Sequence, residues 1–136
     1  MRRPLRILAA AALSAIAACQ MDDKITGPDP ARGPGALEVQ LATPNADDGA
    51  LLLTLSGGPV DSVTSGTFEV AALETAAGAY RVLIRGPIHG GAVARLWVPE
   101  RGDRSAYVVS VTEAVGRTSY ARQDVAGYVV TVGLTK

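Results

Sequence analysis

From residue 37 to the end, the chain is written in short apolar runs with a period of two. Leu37, Val39 and Leu41 alternate with Glu38, Gln40 and Ala42, and Leu51, Leu53 and Leu55 resume the same period after a polar turn. A strand sends successive side chains to opposite faces, so this spacing gives each segment one face to bury and one to leave in water. The run between them, Thr43-Pro44-Asn45-Ala46-Asp47-Asp48-Gly49, is built from residues that favour turns. The two segments are therefore joined as a hairpin or as a corner between two sheets.

The same reading continues along the chain. Residues 37–43 and 50–56 are strands, and Gly57-Gly58-Pro59 stops the second. Residues 60–63 and 67–73 are weaker strand segments, followed by 74–79 as a loop or a single helical turn. Residues 80–85 form a strand ending at Gly86-Pro87. In 92–99, Ala92, Ala94, Leu96 and Val98 share one face while Arg95 and Trp97 take the other. Residues 105–115 set Tyr107, Val109 and Val111 against Val108, Ser110 and Thr112, and 128–134 closes the chain with Val130, Val132 and Leu134 in register. Seven to nine short strands with turn signals between them point to an all-β fold, an antiparallel β-sandwich, although a small barrel has the same spacing.

Ahead of these strands lies a different kind of sequence. Arg2, Arg3 and Arg6 precede an apolar run over residues 7–18 interrupted only by Ser14. A basic start followed by about a dozen apolar residues is the layout of a secretory signal, and the run is too short for a spanning helix of roughly 20 residues. It ends in Ile16-Ala17-Ala18-Cys19, an aliphatic residue, two small residues and a cysteine. This resembles the lipobox of bacterial lipoproteins, which implies cleavage before Cys19 and acylation of its thiol. Cys19 is the only cysteine of the chain, so no intramolecular disulfide can form. A secretory signal with a chance cysteine is the plainer alternative, and lipidation better accounts for one unpaired thiol on an exported protein. Gln20 at the next position resembles the signal that sorts such proteins to an outer membrane.

Residues 19–36 hold three prolines and three glycines with almost no large apolar side chain. They read as a lipidated cysteine followed by a flexible tether, leaving residues 37–136 as the folded domain. Loss of residues 1–18 removes three arginines and no acid, so ten basic residues face thirteen acidic ones in the mature chain. No basic run remains to release counterions from a nucleic acid, and no such partner is expected.

Within the domain, residues 36–60 and 80–115 resemble the opening and later strands of cohesin-like and related carbohydrate-binding β-sandwiches. The likeness rests on Tyr80-Arg81-Val82-Leu83-Ile84 followed by Gly91-Ala92-Val93-Ala94-Arg95-Leu96-Trp97-Val98. It carries no binding residue with it.

Residues that could bear chemistry are few. His89, the only histidine, lies in a glycine-rich turn, and no Gly-x-Ser-x-Gly elbow accompanies it, so an exposed loop residue is preferred to a general base. One histidine and one cysteine cannot make a His/Cys zinc site. Asn45, Asp47, Asp48 and Gly49 supply oxygen donors but miss the spacing of a calcium loop, and turn chemistry explains them. Trp97 with Tyr107, Tyr120 and Tyr128 is either a sugar-stacking face or a set of rings at the rim of the core, the second being preferred. Arg101-Gly102-Asp103 suits a hairpin tip and is assigned no function. Glu69, Glu74, Glu100 and Glu113 are scattered, with no pairing for acid–base work.

The expectation is a non-enzymatic module with no cofactor and no metal. It is held to the membrane by acyl groups on Cys19 and presents a β-sandwich to an envelope protein or glycan. A structural envelope protein assembling through sheet edges is the alternative, and a hydrolase is third.

Overall fold

The computed structural model describes residues 31–136. The expected signal segment, Cys19 and most of the expected tether lie outside the described residues. Nine strands are present among the described residues: β1 Gly35–Ala42, β2 Asp48–Ser56, β3 Ser62–Thr64, β4 Glu69–Ala76, β5 Ala79–Ile88, β6 Gly91–Val98, β7 Val108–Gly116, β8 Arg122–Gln123 and β9 Val129–Leu134. They form two antiparallel sheets, ordered β3-β6-β1-β9 and β4-β5-β2-β7-β8. The fold is an all-β sandwich.

The period-two residues meet between the sheets. Leu37, Val39 and Leu41 of β1 face Leu51, Leu53 and Leu55 of β2 in one buried cluster, which Val82 and Ile84 of β5 and Leu96 and Val98 of β6 extend. Apolar area withdrawn from water contributes roughly 25 cal/mol per Å². A sequence that repeats Leu at every second position of two strands therefore has a strong preference for this register, because a slip of one residue would turn every leucine to solvent.

Of the two geometries open to residues 43–49, the structure adopts the corner: β1 belongs to the first sheet and β2 to the second. The chain crosses between sheets again at β2–β3, β3–β4, β5–β6, β6–β7 and β8–β9. Tight hairpins are kept for β4–β5 and β7–β8.

Several expected boundaries move, each for a local reason. Residues 74–79 are neither loop nor helical turn: β4 runs on to Ala76, and Ala77-Gly78 turns the chain, with Gly78 at φ 70° where a Cβ would be strained. β5 does not stop at Arg85. Asp48 pairs with Ile88 and Ala50 with Arg85, so Gly86-Pro87 opposes Gly49 in a bulge, where a proline without an N–H is tolerated. In β6 the register steps from Val39–Ala94 to Gln40–Ala92, so Val93 is the extra residue. Val93 and Ala94 are both buried and Ala92 is exposed, which corrects the face assigned to Ala92.

β7 begins at Val108 rather than at 105, because Arg101–Ala106 is a 3-10 turn. A further bulge at Thr112, whose hydroxyl donates to the Leu52 carbonyl at 3.0 Å, re-phases the strand and buries Ala114. The two-residue strand β8 lacks any sequence signal. The expected tether also gives way to fixed structure before residue 36: β1 starts at Gly35, and Gly33 is hydrogen-bonded to the 3-10 turn.

Candidate functional site

At the end of the sandwich where β1 begins, the chain is held by a clamp. Glu100 caps the 3-10 turn, its Oε1 accepting from Gly102 N at 2.7 Å and from Gly33 N at 2.8 Å. Those two N–H groups, with the nearby Arg32 and Arg101 cations, hold the Glu100 carboxyl below its ordinary pKa. The Arg101 backbone N–H donates to the Gly33 carbonyl at 2.9 Å, and its guanidinium donates to the Arg32 carbonyl at 2.9 Å. Arg101-Gly102-Asp103 is therefore not a hairpin tip. It crosses from one sheet to the other, and its arginine is spent on holding residues 32 and 33.

At the opposite end, the turn residues Asn45, Asp47 and Asp48 are also occupied. Asp48 is 1% exposed, and its carboxylate accepts from Thr43 Oγ1 at 2.5 Å and from the Tyr128 hydroxyl at 2.6 Å. Asn45 Nδ2 donates to Tyr128 Oη at 2.9 Å. Burial, and then the Asp48 carboxylate, push the Tyr128 phenol up. Asp47 Oδ2 accepts from the Thr118 hydroxyl at 2.5 Å and the Thr118 N–H at 3.1 Å, and these bonds draw its pKa down, with Arg117 adding to them. The cluster closes the end of the sandwich and ties the β1–β2 corner to the β7–β8 turn. Among the described residues, no three metal-ligating side chains come together.

The four aromatic residues do not make one face. Tyr107 is buried, its hydroxyl donating to the Pro59 carbonyl at 2.7 Å, and burial raises its pKa. Tyr128 belongs to the Asp48 network. Tyr120 is 84% exposed in the β7–β8 turn, at the end of the sandwich where β1 finishes. Trp97 alone lies on a sheet face, 46% exposed.

That face is the outer side of the first sheet. β6 is an interior strand there, flanked by β3 and β1, and Trp97 pairs with Ser62 on one side and Ala36 on the other. Both neighbours are small and leave the indole uncovered. One pleat along, Arg95 pairs with Thr64 and Glu38, and Glu38 also accepts from Gln40 Nε2. A shallow depression of about 160 Å³ adjoins this row, lined by Glu38, Ser65, Gly66, Thr67 and residues 92–95.

The outer side of the second sheet differs. A depression of about 280 Å³ is lined there by Leu52, Ala71, Ala72, Leu73, Arg81 and Leu83, and Leu73 on the edge strand β4 is 66% exposed. Glu69 is ion-paired with Arg85 beside it, and Glu113 with Arg122 at 3.3 Å on β7 and β8. Glu74, near the end of β4, is exposed.

His89 is exposed between β5 and β6, and no hydrogen bond joins it to a carboxylate among the described residues. Sequence reasoning found Trp97 and its orientation from the period of two. It missed the Asp48–Tyr128 network and the Glu100 clamp, which join residues 80 and 67 positions apart. No helix among the described residues is long and apolar enough to cross a membrane. No family model, curated protein or solved structure matches the chain.

Proposed function

We propose that this chain is a lipid-tethered, non-enzymatic β-sandwich that displays a binding surface at the cell envelope. The observation that carries the reading is the clamp on residues 32 and 33. Glu100 and Arg101 fix the chain's approach at one end of the sandwich, leaving the Trp97 face and the far loops uncovered by it. Ile16-Ala17-Ala18-Cys19 supplies the anchor. Each acyl CH₂ buried in the bilayer contributes about 0.8 kcal/mol, so one chain binds reversibly and two or three hold stably. Residues 20–30 then act as the spacer.

Intact mass of the protein, with fractionation of the producing cells beside a Cys19→Ser variant, tests the anchor. The expected result is residues 19–136 plus acyl groups in the membrane fraction, with the variant released or left unprocessed. An unmodified soluble chain would overturn it.

A second reading, assembly through sheet edges, is favoured by β4. Of the four edge strands, β3 and β8 have three and two residues and β9 has six, whereas β4 has eight and carries the exposed Leu73. An unpaired edge of that length is a template for another strand. Sedimentation that shows mass rising with concentration, and a return to monomer in Leu73→Lys, would favour assembly over display.

A further inference from the structure

We infer that the end of the sandwich where the chain enters, bracketed by Trp97, Val108 and Leu134, is a second contact with the lipid bilayer: a seat that rests in the headgroup layer of a zwitterionic membrane. The inference rests on the lipid-tether reading above. The anchor brings this end to the bilayer, and the seat fixes how the domain stands on it.

The clamp decides which end meets the membrane. Glu100 and Arg101 hold residues 32 and 33 beside the start of β1, so the tether leaves from this end. Residues 20–30, as a flexible spacer, span about 17–20 Å on average, at roughly 5–6 Å times the square root of the residue number. The 9 residues of β2 alone run about 30 Å, at roughly 3.3 Å each. The tether is therefore shorter than the domain is long, and it keeps the entry end next to the headgroups while the opposite end stands farther off. At such a local concentration, a contact too weak to form from solution is occupied.

The entry end has the surface for this contact. Trp97 lies one residue before the end of β6, Val108 opens β7 and Leu134 closes β9, and they are 46%, 63% and 38% exposed. Trp97 is on the outer side of the first sheet, with Ala36 beside it and exposed Pro99 next along the chain on that side. Val108 is on the outer side of the second sheet, opposite Ser56, and the 3-10 turn crosses between the two. Apolar side chains on both sides of the turn, with a third on the edge strand β9, let the end settle level rather than tip onto one face. The indole, an apolar ring with a polar N–H, favours the membrane–water boundary. Charge does not oppose the contact, because Arg101, Arg104 and Lys136 balance Asp61, Glu100 and Asp103 there, so no anionic lipid is required. The opposite end is as apolar, with Tyr120, Val125 and Val129 exposed, but the tether does not leave from it, and it is left to face outward.

Trp97 is the only tryptophan and Cys19 the only cysteine of the chain, so emission reports on this end alone and attachment is at one place. Protein purified from its producing cells is placed on phosphatidylcholine vesicles, by its own acyl groups where it carries them and otherwise by coupling the free Cys19 thiol to a maleimide lipid. Tryptophan emission is read with and without lipids brominated near the top of their acyl chains. The expected result is a blue-shifted emission that the brominated lipids quench, at low and high salt alike. Quenching should fall about twofold or more in Val108→Glu combined with Leu134→Glu, and hold in Val129→Glu at the opposite end. Val108→Glu alone, at the more exposed position, should give a smaller loss and keeps the test open if the double variant is unstable. Emission unchanged by vesicles, no quenching, quenching abolished by salt, or quenching lost in Val129→Glu and kept in the Val108 variants would each overturn the inference. A free thiol on the purified protein would sink the anchor and leave the seat to be read on the coupled protein. An acylated protein whose Trp97 stays in water would sink the seat and leave the anchor.

Discussion

Asp48 is the one buried charged side chain among the described residues, and both its carboxylate oxygens are accounted for by Thr43 and Tyr128. Its cost of desolvation is offset only while those donors are in place. Asp48→Ala should therefore destabilise the domain by about 1–3 kcal/mol, since it removes the charged acceptor shared by two half-buried hydroxyls. Urea unfolding measures this, and Tyr128→Phe should cost less because Thr43 remains bonded. Ionisable residues also set a pH window. Asp47 and Glu100 have pKa values in the folded state below their ordinary 3.8 and 4.5. Their contribution is complete above those values and is lost as pH falls through the lower folded ones. Tyr107 and Tyr128 are raised above their ordinary 10.0, so their contribution is present below that pH and lost as pH rises past it. The melting temperature should be flat across neutral pH and fall at both ends. Asp47→Asn with Glu100→Gln should blunt the acid limb, and thermal unfolding at a series of pH values checks both signs.

Elements in this protein are shaped by their irregularities as much as by their alternation. The bulges at Val93, Thr112 and Gly86-Pro87 each change which residues face the core, and each lets a strand continue where a strict period of two would end it. The 3-10 turn sits over the end of β2 because Gly57, at φ 115°, has no side chain: an added Cβ would lie 1.8 Å from the Ala106 carbonyl oxygen. Gly57→Ala should cost about 1–3 kcal/mol from backbone strain alone, with displacement of the turn added to it. A lowered unfolding midpoint, together with faster exchange of the Arg101 and Gly33 amides, is the expected outcome. Unchanged exchange would mean that the turn does not depend on this close approach.

For the whole molecule, two faces of different chemistry are set back to back. One carries a lone indole among polar groups. The other carries an apolar stripe that runs to the edge strand β4 and is interrupted by Arg81, with the Glu69–Arg85 pair beside it. Exposed Glu74 near the end of that edge is a charge of the kind that keeps edge strands from pairing, which weighs toward a displayed monomer. The alternation of Leu37 to Leu41 and Leu51 to Leu55 by itself determined that the domain is β and which side of those strands is buried, because side-chain direction along a strand is a local property with a fixed period. It also placed Trp97 outward. The sequence could not decide that the 43–49 turn is a corner, that Arg101 is consumed by the chain's own approach, or that Tyr128 completes the Asp48 site. These depend on which strands become neighbours, and pairing is set by the packing of the whole core, which no single segment encodes.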